Sequence, residues 1–172
     1  MKNKIKKIAV ALLAFTVGCV SLTGCNVRQD TIRFGAAGVG GGYYAFATAY
    51  TQLANAEDAK MKFNIKSTAG SMANLRLLSE GYVDVAIAQA DLATAAYYGT
   101  DEKGESYQGY RVLAGLYTEA CQIVVRKDSG IKSLDDLQGK TVSIGETESG
   151  TERNALQILQ VSGLASPITE TV

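Results

Sequence analysis

Five glycines fall within residues 35–42 of the stretch GAAGVGGGYYAFATAY (35–50), and the chain turns aromatic directly after them. Glycine crowding ahead of a helix lets backbone approach a phosphate or carboxylate, whose charge suits the N–H groups of a helix start. Spacing narrows the choice of anion. A phosphate-cradling G-x-x-x-x-G-K-[ST] loop needs a lysine, and none follows these glycines until Lys60. The dinucleotide pattern G-x-G-x-x-G fails from Gly38, where Tyr43 stands in place of glycine. It survives from Gly40 only in the loose form that ends in Ala45. No acidic residue closes the following strand, where IKSTAG stands. The pattern that remains is a loop whose N–H groups, flanked by Tyr43 and Tyr44, hold a small anionic solute.

The sequence contains no histidine. That excludes Ser-His-Asp triads, Cys-His pairs and imidazole metal sites. The carboxylates lack the D-x-D-x-D-G spacing of a calcium loop, so neither a metal nor a cofactor is expected. Cys121, within ACQIVVR, reads as a small buried strand residue rather than a nucleophile. The expectation is a binding protein, not an enzyme.

Elements that position these residues can be read along the chain. TIRFG (31–35) is a short strand. After the glycines, Tyr43, Phe46, Ala47, Tyr50, Leu53 and Ala54 recur with helical spacing, as one apolar face does. KFNIKS (62–67) alternates like a half-exposed strand. In SMANLRLLSEG, Ser71 is placed to start a helix and Gly81 to stop it. VDVAIAQ (83–89) reads as a buried parallel strand, and ADLATAAYYG as a helix. TDEKGESYQG is a polar loop, followed by two expected strands at 110–119 and 121–128. A short helix in SLDDLQGK, a strand at 141–145 and a helix over 151–162 complete the pattern. Ser149 and Glu152 match the S-x-x-E capping box, with Gly163 as the stop. Such alternation predicts an α/β fold with a mainly parallel sheet.

The first 24 residues read as a leader. Lys2, Lys4, Lys6 and Lys7 precede an apolar run, and Leu22-Thr23-Gly24-Cys25 resembles a bacterial lipobox, whose cysteine is lipidated on cleavage. Residues 25–30 then form a tether to the membrane, outside the cytoplasm. Setting those four lysines aside from the 17 basic residues leaves 13 against 17 acidic ones, a net of −4 with no basic block. Nucleic acid is not an expected partner.

Three blocks carry a family resemblance: GAAGVGGGYYAFATAYTQLAN, STAGSMANLRLLSEGYVDVAIAQADLATAAYYG, and YRVLAGLYTEACQIVVRKDSGIKSLDDLQGKTVSIGETESGTE. Together they resemble the TAXI-type solute-binding subunits of tripartite ATP-independent periplasmic (TRAP) transporters, from about Ile32 to Leu164. The resemblance implies a type II periplasmic-binding-protein-like α/β fold. Its first lobe spans 31–119, a mainly parallel sheet flanked by helices, and its second lobe starts at 120–172 and is incomplete. It implies ligand contacts at Gly41, Gly42 and Tyr43, at Gly70, Ser71 and Asn74, at Gln89 and Asp91, and at Ser149, Gly150 and Thr151. Several of these have plain structural alternatives. Ser71 and Ser149 read equally as helix caps, Asn74 and Gln89 as backbone partners, and Tyr44 as core. Arg76 fits either a carboxylate partner or a solvated helix face.

The function implied is a lipid-anchored protein that captures a small organic acid or amino acid, of the glutamate or 2-oxo-dicarboxylate type, for TRAP permease subunits in the membrane. A solute sensor feeding a membrane kinase is the alternative, and an enzyme using Cys121 on the same scaffold is a third. Two expectations are sharp enough to fail. Gly42→Val should block the solute. The segment after 120 should leave Val142, Ile144, Ala155, Ile158 and Leu159 without cover, because so small a layer cannot shield its own sheet.

Overall fold

A computed structural model describes residues 31–58, 60–100, 104–164 and 169–171; Cys25 and the expected leader and tether lie outside them. The chain runs β1 (Thr31–Gly35), α1 (Gly42–Glu57), β2 (Lys62–Lys66), α2 (Ser71–Ser79), β3 (Val85–Ala86) and α3 (Ala90–Tyr98). After a long irregular stretch come a 3-10 turn at Asp135–Leu137, β4 (Thr141–Ser143), α4 (Gly150–Val161) and β5 (Thr169–Thr171). The first three strands form a parallel sheet in the order β2-β1-β3, and β4 pairs with β5, also in parallel. The fold is therefore α/β, a parallel sheet flanked by helices. Among the described residues no helix is long and apolar enough to cross a membrane.

Central β1 explains why the site forms where it does. Its partners on both sides run in the same direction, so three strands deliver their carboxyl ends to one rim. Phe34 and Ala36 pack with Ala47 of α1 and Ile87, while Tyr43, Tyr44, Phe46 and Phe63 close over them. Tyr44 thus belongs to the core. The face predicted for α1 is only partly buried. Ala47 is fully covered, but Leu53 is 69% exposed, and Thr51 is buried in its stead. A second cluster, Met72, Leu75, Leu92 and Ala96, fastens α2 to α3.

Three sequence expectations need correction. Residues 110–128 form no strand, and Cys121 is exposed rather than buried. The apolar pattern is present, with Val112, Leu113, Ile123 and Val124 all more than half exposed. A strand, however, needs a neighbour for its N–H and C=O groups, and no described segment supplies one. The expected strand at 83–89 shrinks to Val85–Ala86 for a related reason: it pairs only along Phe34 and Gly35 of β1. Finally, the segment after 120 does cover itself. Leu137, Ile144, Leu159 and Leu164 are buried together, with Val142, Ala155 and Leu156 packed against them. Ile131 and Leu134, ahead of the 3-10 turn, pack against the same cluster and provide the second side that local patterning did not reveal.

Candidate functional site

The rim is tied together by one amide. Asn74 is fully buried in the first turn of α2. Its Nδ2 donates to the carbonyls of Ala36 and Ile87, the latter at 2.8 Å, with the Gly35 carbonyl at 3.5 Å. Its Oδ1 accepts from the Thr68 hydroxyl at 2.8 Å. Gly35 ends β1 and Ala36 follows it, Thr68 follows β2, and Ile87 follows β3, so a single side chain fastens the ends of all three strands. An amide has two donor hydrogens and one acceptor oxygen, and these contacts use them all. Asn74 thus acts as the backbone partner that was the alternative to a ligand contact.

Ser71 lies at the centre of what remains. It is the first residue of α2, with Gly70 rather than Ser71 in the cap position, so its hydroxyl is not spent on capping. Its Oγ accepts from the backbone N–H of Gln89, the residue capping α3, at 3.2 Å. It also makes a long 3.5 Å contact with the hydroxyl of Tyr43, in the first turn of α1. The Tyr43 hydroxyl donates to the Glu119 carboxylate at 2.8 Å. With that proton committed, Ser71 must be the donor in its contact with Tyr43. A directed chain results: Gln89 N–H to Ser71, Ser71 to Tyr43, Tyr43 to Glu119. Burial raises the Tyr43 phenol well above the ordinary tyrosine range, the Ser71 hydroxyl opposes the rise, and the Glu119 carboxylate adds to it.

The start of α4 closes over this group. A Cβ on Gly150 would overlap Gln89 Oε1 and stand 3.0 Å from Ser71 Oγ. Gln89 Oε1 is itself buried without a hydrogen-bond partner. Gly70 adopts φ 130°, where only glycine is comfortable, and a Cβ there would stand 3.3 Å from Ser149 Cα. Ser149 caps α4, its Oγ accepting from Glu152 N–H at 2.9 Å. The return bond of the expected capping box is displaced by one residue. Glu152 accepts from the N–H of Glu148, not from that of Ser149.

Glu148 is the residue that patterning missed. Its backbone carbonyl accepts from the N–H groups of Met72 and Ala73, at 3.1 and 3.2 Å, the first-turn donors of α2. Its carboxylate takes a two-point grip from Arg76, with Nε–Oε1 at 3.0 Å and Nη2–Oε2 at 2.8 Å. Pairing with Glu148, helped by Glu80 at 3.4 Å, pushes the Arg76 guanidinium still higher than its ordinary value. Glu148 holds φ 67°, the one positive φ among described non-glycine residues. That conformation costs about 1–3 kcal/mol and persists only where surrounding bonds over-determine it. Arg76 is thus a carboxylate partner, and the carboxylate belongs to its own chain.

Other predicted positions sit further out. Gly41 caps α1 with an exposed backbone, and Gly42 is exposed too; a Cβ on Gly42 would meet only Tyr117 Oη, at an ordinary 3.7 Å. A side chain there would enter open space rather than clash with the protein, so Gly42→Val is compatible with the fold. Asp91 is exposed in the first turn of α3, where its charge suits the helix dipole, and the hydrogen bonds around Ser71 do not reach it. Thr151 is exposed and packs toward Gly145. Among the described residues no group of three or more His, Cys, Asp or Glu is placed to hold a metal.

A rim of parallel strand ends crowded by helix starts is where open α/β sheets bind ligands. Comparison with protein families adds the decisive observation: the NMT1-like family model matches residues 34–171, which takes in the whole of this rim. The chain belongs to the NMT1-like family. That family is periplasmic-binding-protein-like and related to solute-binding proteins, so the general role it carries is binding a small solute. The family's matched span begins at Phe34, in the middle of β1, and includes both the Ser71 junction and the Glu148 turn.

Proposed function

We propose that the protein is an extracytoplasmic, lipid-anchored solute-binding protein, tethered through Cys25, that captures a small organic acid or amino acid of the glutamate or 2-oxo-dicarboxylate type and passes it to TRAP permease subunits. The observation that carries the proposal is the Ser71 junction. Tyr43, Ser71, Gln89 and Gly150, from the starts of α1, α2, α3 and α4, meet there although they lie far apart in sequence. Helix starts present N–H donors and a positive dipole end, which favour a carboxylate. The site is a binder rather than a catalyst, because a chain without histidine lacks the usual general base.

Isothermal titration of the protein with L-glutamate, 2-oxoglutarate and smaller monocarboxylates tests this reading. Saturable binding of at least one acid, lost in Ser71→Val, is expected. Absence of binding to all of them overturns it. Radiolabelled palmitate on the wild type but not on Cys25→Ser checks the anchor.

A further inference from the structure

The turn Glu146–Thr151 lies directly on the start of α2, and every strong contact it makes there passes through one residue. The Glu148 carbonyl covers the N–H groups of Met72 and Ala73, and the Glu148 carboxylate fills the Arg76 fork. We propose that Glu148 is a clasp: it holds this turn on α2 when no solute is bound, and so occupies the donors that a carboxylate solute would use. The inference rests on the solute-binding role proposed above.

Three features support the clasp over an incidental surface pair. The first is reach. Arg76 and Glu148 are 72 residues apart and join α2 to the turn that starts α4, so their bond closes the two parts of the molecule on each other. The second is directionality. A two-point guanidinium–carboxylate grip, together with two N–H groups on one carbonyl, fixes Glu148 from both its side chain and its backbone. The third is the left-handed backbone of Glu148, which is held in place by the bond from its N–H to Glu152 and by Ser149 N–H on the Glu146 carbonyl at 2.9 Å. A residue kept in an unfavourable conformation by its contacts is ready to leave it when a better ligand takes those contacts. A solute carboxylate carries a full charge and can satisfy the same N–H pair and the same guanidinium, so solute binding and clasp release are one exchange.

Amide hydrogen exchange on the solute-free protein tests the clasp without any ligand. The Met72 and Ala73 amides should be protected in the wild type. They should exchange at least tenfold faster in Glu148→Gln and in Arg76→Gln, while the Ile32 and Phe34 amides of β1 stay unchanged as a check on folding. The charge-swapped pair Arg76→Glu with Glu148→Arg should regain most of the protection. Fast exchange of both amides in the wild type, or exchange unmoved by either single variant, overturns the clasp. Titration with L-glutamate then tests the competition. Glu148→Gln should bind it about three- to tenfold more tightly than the wild type, and equal or weaker binding beside faster exchange refutes the competition. If neither protein binds any acid, the solute-binding role fails, and the exchange result still decides the clasp by itself.

Discussion

Gly70 and Ser149 meet with no room to spare: a Cβ on Gly70 would stand 3.3 Å from the Ser149 Cα. The neighbour is backbone, not the loose end of a side chain, and Gly70 also holds φ 130°. Gly70→Ala should therefore strain the start of α2 and lift the Glu146–Thr151 turn from it, at a cost of about 1–3 kcal/mol. Equilibrium denaturation measures the loss, and an unchanged midpoint would mean that the turn does not press on α2.

Asn74 gives a larger effect by a different route. Asn74→Leu keeps the volume roughly constant but takes the amide donors from the Ala36 and Ile87 carbonyls, leaving Ala36 only the Thr68 hydroxyl. Buried groups stripped of a hydrogen bond should cost about 2–4 kcal/mol together. The thermal midpoint should fall clearly below that of Asn74→Asp at neutral pH only if the donor hydrogens matter less than the acceptor. We expect the reverse order, with Asp, charged against carbonyls, the worse of the two.

Tyr43 separates binding from packing. Tyr43→Phe keeps the ring against the Phe34 core and removes only the link between Ser71 and Glu119. Solute binding should weaken by about 0.5–1.5 kcal/mol, and Tyr43→Ala by about 1–3 kcal/mol because the aromatic contact goes as well. In alkaline absorbance titration, Tyr43→Phe should lose a late-ionising phenol, since burial lifts Tyr43 above the ordinary tyrosine range. Lower stability with unaltered affinity would assign Tyr43 to the core alone.

Arg33 and Asp84 supply a pH dependence. Arg33 Nη2 lies 2.7 Å from Asp84 Oδ1, and Arg33 Nε and backbone N–H both donate to Oδ2. These bonds hold the Asp84 carboxyl down from 3.8 to about 2. Because the folded value lies below the unfolded one, the stabilisation is complete above about pH 4 and is lost as the pH falls toward 2. Both side chains are more than a third exposed, so solvent screening limits the contribution to about 0.2–1 kcal/mol. Asp84→Asn should flatten this part of the acid limb, and an acid limb with the same slope as the wild type would assign the loss to other carboxylates.

The stretch 111–127 should be cut first. Its backbone has no ladder, and Arg111, Arg126 and Lys127 are exposed along it. Limited trypsin should nick there while residues 129–164, which bury Leu137, Ile144, Leu159 and Leu164, resist. The exposed Val112, Leu113 and Val124 should also bind a hydrophobic dye and promote association at high concentration. Early loss of the 129–164 segment would show that its small core does not hold.

Local periodicity alone was sufficient for much of the fold. The 3.6-residue spacing around Phe46 and Ala47, the alternation in KFNIK and the Ser149–Glu152 pair located α1, β2 and the start of α4 to within a residue or two. These signals are legible because each lies inside one element, between residues that are near neighbours in the chain. The parallel α/β class follows from their order.

Tertiary structure decided whatever depended on a distant partner. The apolar runs at 110–128 look like strands, but a strand forms only against a neighbour, and Cys121 is exposed for the same reason. Ile144 and Leu159 looked uncovered because the 131–137 segment that completes their surroundings carries no pattern linking it to the helix. Asn74 was readable as polar and near a helix start, yet its assignment to three strand ends needed the sheet order β2-β1-β3. Arg76 announced a carboxylate partner without saying which. Glu148 answers from 72 residues away, and no spacing rule spans such a distance, because what brings the two together is the packing of whole elements rather than the repeat of any one.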